Sequence, residues 1–170
     1  MEGMVATGLS VLAFAAVASM MLYGSKSTVA MGNYADLDLY NRKALDQMTT
    51  DLRQANKVLS CTNYQLQVQA VDINTGATNN LTYTWDSSKQ TLNRIYAGTT
   101  NILLKGIVKN TLQFVMYQRN PVGGDVTTNY VTTDPTLCKI VQFSWICSRS
   151  VLGFSETESV QSAKVVIRKE

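Results

Sequence analysis

The sequence has no histidine, only two prolines and three cysteines in 170 residues, and just 16% of its residues are charged. Without an imidazole, Ser-His-Asp and Cys-His nucleophiles are excluded, and so are the common zinc-hydrolase sites, whose ligands are mostly histidine. A Ser-Lys dyad or a carboxylate pair stays open. The balance of 15 Lys and Arg against 12 Asp and Glu gives a net charge of +3, without the marked basic excess of a nucleic-acid binder. No G-x-G-x-x-G, Walker loop or C-x-x-C motif occurs, so neither a cofactor nor a small-molecule substrate is expected. The carboxylates of Asp125 and Asp134 lie in a polar loop and are a weak signal for a hard cation; a solvated loop is the plainer reading.

Three cysteines are an odd count, which leaves at least one thiol outside any intrachain disulfide. On a continuous strand, Cys138 and Cys147 would stand about 30 Å apart, whereas a disulfide needs Cα atoms within about 4.4 to 6.8 Å. Cys61 with Cys138 or Cys147 remains as the candidate pairing, beside the bland reading of all three as small buried hydrophobes.

Charge is scarcest at one end. Between Glu2 and Lys26 lie 23 residues, Gly3 to Ser25, with neither a charge nor a proline. As a helix they span roughly 34 Å against about 30 Å of bilayer hydrocarbon, so Gly3 to Tyr23 is predicted to cross a membrane once. Ala16-Val17-Ala18 offers a small-x-small cleavage pattern, but the Met-Glu start lacks the positive charge of a secretory signal. Small residues four apart, Ala6 with Ser10 and Ala15 with Ser19, suit close helix approach. Glu2 is a costly residue beside an apolar span unless it lies in the headgroup zone or has a partner.

The helical pattern continues beyond the apolar run. Tyr34, Leu37, Leu45, Met48, Leu52, Ala55 and Leu59 form one apolar stripe, with Asp38, Arg42 and Asp46 on the polar side spaced for i,i+4 pairing. One helix is therefore predicted from about Met4 to about Leu59, with Gly24 and Gly32 as weak points. From Cys61 the period changes to two. Tyr64, Leu66, Val68 and Ala70 read as one strand and Leu81, Tyr83 and Trp85 as its hairpin partner, with further strands at 91–97, 101–104, 110–118, 139–147 and 160–168. The region from Asn120 to Pro135 reads as a long loop. The expected fold is α+β: residues 1–25 as a membrane or filament-core half-helix, 26–59 as its amphipathic half, and 60–170 as a head built on an antiparallel sheet.

The opening Met1-Glu-Gly-Met-Val-Ala6, the following Gly8-Leu-Ser-Val-Leu12, the long amphipathic extension and the strand-rich head resemble the type IV pilin and pseudopilin family. The 46–55 stretch of the helix and the closing strand at 158–168 look like the minor pseudopilins of the J or W kind. Glu2 matches the family's Glu within the apolar helix. The basic leader ending in Gly, and the aromatic residue that the family places before that Glu, are not among these residues. The resemblance implies a structural subunit rather than an enzyme, without catalytic residues, metal or cofactor. It would be held in a bacterial inner membrane with its head in the periplasm, then assembled into a type IV pilus or type II secretion pseudopilus. Its implied partners are other pilin or pseudopilin subunits, and prepilin peptidase if a leader precedes Met1. The alternative is a single-span membrane-anchored binding module, in which the helix is only an anchor; an anchored hydrolase is a third class with no nominated residues.

Overall fold

The computed structural model describes residues 2–71, 76–119, 128–151 and 154–167. Its first element, α1 (Glu2–Arg53), is a continuous 52-residue helix, about 78 Å long at 1.5 Å per residue. Ala, Leu and Met dominate its first half and favour the helical state. The hydroxyls there turn back on the helix itself: Thr7 donates to the Gly3 carbonyl at 2.9 Å, Ser10 to Ala6 at 2.8 Å, Ser19 to Ala16 at 2.8 Å and Thr28 to Gly24 at 3.0 Å. Such internal bonds satisfy polar groups where water is absent.

The helix ends six residues earlier than its apolar stripe predicts. The Gln54 amide bonds the Thr50 carbonyl, and the chain then enters β1 (Ala55–Cys61). Strand β1 pairs antiparallel with β2 (Gln65–Val71), with register shifts between Ala55 and Lys57 and between Val58 and Ser60. These irregularities bury Ala55 and Val58, three residues apart. Of the two residues that the stripe placed beyond Leu52, Ala55 is buried as a strand residue and Leu59 is only half-buried, because the bulged strand turns Val58 inward instead.

Strand β2 forms the expected hairpin with β3 (Thr78–Asp86), pairing Leu66 with Tyr83 and Val68 with Leu81. Next come β4 (Thr91–Tyr96) and β5 (Thr99–Lys105), joined by Ala97 and Gly98, both at positive φ. That is the backbone region required by a two-residue type I′ turn. These five strands form one sheet in the order β1-β2-β3-β4-β5. The second sheet, ordered β7-β6-β8-β9, contains β6 (Gln113–Gln118), β7 (Tyr130–Thr132), β8 (Cys138–Val151) and β9 (Phe154–Val166). All strand pairs are antiparallel. The architecture is α+β as expected, with two sheets where one was predicted, and with β1 and β7 as strands that the pattern did not reveal.

Gly106 links the sheets. Its carbonyl accepts the Ser148 amide at 2.9 Å, and the next residue, Ile107, bridges to Cys147 of β8. With φ at +76° and the Ser148 carbonyl oxygen 2.8 Å from where a Cβ would lie, the position admits only glycine. Leu66, Leu81 and Leu92 from the first sheet share one core with Phe114, Val141 and Phe143 from the second, and with Met48 and Leu52 of α1.

Candidate assembly surface and helix clamp

The two halves of α1 have opposite surroundings. Every residue from Glu2 to Val29 is exposed, including Met4, Phe14, Met20 and Leu22, with Phe14 at 80%. This apolar helix near the N-terminus is long enough to cross a membrane, and none of the span is buried by the head. Glu2 stands in its first turn, where a carboxylate is favoured by the helix dipole whatever else it does. Ala6, Ser10, Ala15 and Ser19 are all exposed, so the four-residue spacing predicted for helix approach is open to a neighbour.

The second half is docked by Leu37, Asn41, Ala44, Met48, Asp51 and Leu52. These residues recur at i, i+3 and i+4 and form a true stripe. Of the predicted stripe, Leu37, Met48 and Leu52 are in the core, Leu45 packs beside it and Tyr34 is 57% exposed. Asn41 and Asp51 escaped sequence reasoning because they are polar. The signal was there in their spacing, which fills the gaps between Leu37, Ala44 and Leu52.

Each buried polar residue is tied to a different sheet. The Asp51 carboxylate accepts from Arg94 Nε at 2.7 Å and Nη2 at 3.0 Å, from Gln47 at 3.0 Å, and from the Tyr83 hydroxyl in a short hydrogen bond. A carboxylate offers about four acceptor sites, and here four donors fill them. Burial first, and the Asp51 carboxylate second, hold the Tyr83 phenol well above the usual tyrosine range. The hydrogen bond to Asp51 leads the causes that raise the Arg94 guanidinium further above its already high value. On the other sheet, Trp145 Nε1 donates to Asn41 Oδ1 at 2.8 Å. A third, exposed tie joins Arg149 to Asp36 at 3.3 Å, with the guanidinium over the Tyr40 ring. Of the polar residues predicted to pair along the helix, Arg42 meets Asp38 at 2.8 Å.

The three cysteines are thiols. Cys138 and Cys147 both belong to β8, which rules out a bond between them by length as argued above. Burial, with a smaller contribution from nearby Cys138, pushes the Cys61 thiol up to about 11; burial pushes Cys147 up to about 12 against the pull of Arg149. Thiols so raised are poor nucleophiles at neutral pH. In the candidate cation loop, Asp134 instead accepts from the Thr136 amide and hydroxyl at 2.8 and 2.7 Å, and Asp125 lies outside the described residues. Among the described residues, no three His, Cys, Asp or Glu side chains converge as a metal site would require. Comparison with family models, curated proteins and solved structures finds no match to this chain.

Proposed function

We propose that this chain is a minor pilin-like or pseudopilin-like structural subunit, held in the membrane by α1 and assembled into a type IV pilus or type II secretion pseudopilus. The observation that carries the reading is the single continuous helix, uncharged over Gly3 to Ser25 and exposed from Glu2 to Val29, yet locked to a β-rich head by its second half. A helix exposed on all faces needs lipid or other helices around it, and a subunit that passes from membrane to filament meets both in turn. In the filament, Glu2 of one subunit would face the terminal amine of a neighbour, because a paired charge is tolerated in an apolar core where a lone one is not. The head would lie in the periplasm.

Glu2→Ala separates assembly from anchoring. Membrane fractionation should find the variant inserted as before, while sheared filaments should contain several-fold less of it. Undiminished incorporation overturns the role given to Glu2. A single-span anchored binding module is the second reading, supported by a cleft beside the clamp. It predicts that Glu2→Ala changes nothing and that the head's ligand alone determines activity.

A further inference from the structure

We infer that the free edge of β5 takes up an extended peptide as a sixth strand of the first sheet, with the acidic end of that peptide beside α1. Ala97 and Gly98 form a two-residue turn, so the flanking Tyr96 and Thr99 are the first hydrogen-bonded pair of the β4–β5 ladder. Bonded and non-bonded pairs alternate along an antiparallel ladder. Arg94 with Asn101 is therefore a bonded pair, whereas Thr100, opposite Ile95, and Ile102, opposite Asn93, turn their amides and carbonyls away from β4. As β5 ends its sheet, no strand meets these groups among the described residues, and Thr99 to Ile102 are all exposed.

The other three edges carry protections against pairing. Strand β1 is irregular twice, β7 has three residues and β9 lies against α1. The stretch from Thr99 to Leu104 has neither a charge nor a proline, and its threonines and isoleucine favour the extended state. Two donors and two acceptors, on residues two apart along an exposed edge, match the backbone of another strand. Charge then selects the sequence of that strand. Beyond Ile102 the edge opens into a cleft of about 350 Å³ against α1, lined from the buried Asn41 and Leu104 out to the exposed Tyr40, Lys43, Ile102 and Lys105. Its charged residues are Lys43, Lys105 and Arg149, the last engaged by Asp36, and no carboxylate lines it. An antiparallel strand would begin at this cleft and finish beside Thr99, so its acidic residues belong at its N-terminal end.

The test uses the full chain in phospholipid nanodiscs and follows amide exchange by NMR. Without ligand, the Thr100 and Ile102 amides should exchange much faster than the Asn101 amide, which the ladder already holds. The probe is a peptide blocked at both ends, two glutamates followed by alternating valine and threonine. At saturation it should slow exchange at Thr100 and Ile102 at least about tenfold and leave Asn101 unchanged, with half-saturation at about 1 mM. The same peptide N-methylated along its backbone keeps every side chain and should not bind. Lys43→Gln with Lys105→Gln alters exposed side chains only and should weaken the peptide about threefold. Four results would each overturn the proposal: slow exchange at both amides without peptide, as pairing with a second copy would give; no slowing with it; equal binding of the N-methylated peptide; or undiminished affinity in the double variant. The edge belongs to the head and not to the apolar span, so the Glu2→Ala result and this one can fail separately.

Discussion

One helix lives in two solvents. From Glu2 to Val29 every residue is exposed, and from Leu37 to Leu52 the helix forms part of a protein core. Both halves are helical, but for different reasons. The free half owes its helicity to composition, its hydroxyls merely satisfied on their own backbone; the docked half owes it to a stripe that would not remain helical without the sheets beneath it. Continuity of secondary structure thus says little about what holds each segment in place.

The contrast can be broken most severely at Asp51. Asp51→Ala leaves Arg94 and Tyr83 facing a void and should cost about 4 kcal/mol of head stability in denaturant unfolding. Membrane association, read by fractionation, should not change. Leu52→Ala removes a fully buried side chain and should cost about 3 kcal/mol, whereas Leu22→Ala, at a position 67% exposed to whatever surrounds the helix, should cost less than about 0.5 kcal/mol in detergent. Equal costs at 22 and 52 would erase the distinction between the halves.

Tyr83→Phe is a finer probe. At neutral pH it removes one hydrogen bond to a carboxylate that keeps three other donors, and should cost about 1.5 kcal/mol. The phenol's raised value keeps it protonated in the folded chain where an unfolded chain ionises, from about pH 10 upward. Its contribution is therefore complete below pH 10 and is lost as the pH climbs above it. Between pH 8 and about 10.5, wild-type stability should fall more steeply than that of Tyr83→Phe. The smallest effect belongs to Gly32→Ala, between the two halves, where an added Cβ meets nothing within 4 Å. Helical stability there should rise by about 0.5 to 1 kcal/mol, visible as slower amide exchange from about residue 28 to 36.

Much of this was legible in the chain. The uncharged run from Gly3 to Ser25 needs no tertiary partner to declare itself, and the hairpin of β2 and β3 follows from strict alternation through Leu66, Val68, Leu81 and Tyr83. What stayed hidden was decided by partners distant in sequence. The spacing of Asn41 and Asp51 puts them on the docked face, but their partners Trp145, Tyr83 and Arg94 are brought against them from separations that no local period encodes. Ala55 and Leu59 extend the helical spacing in sequence, yet irregular pairing in β1 buries Ala55 and Val58 instead. The cleft was invisible for the same reason: Asn41 and Leu104 become neighbours only after both sheets have formed.

The clamp also sets an angle. Each residue turns a helix by about 100°, so pinning Asp51 to one sheet and Asn41 to the other fixes the azimuth of every side chain along α1, including Glu2 at its far end. In the assembly proposed above, the head would therefore determine which neighbour Glu2 confronts. One residue inserted near Ala30 would leave the span and the clamp untouched, yet rotate Glu2 by about 100° about the helix axis.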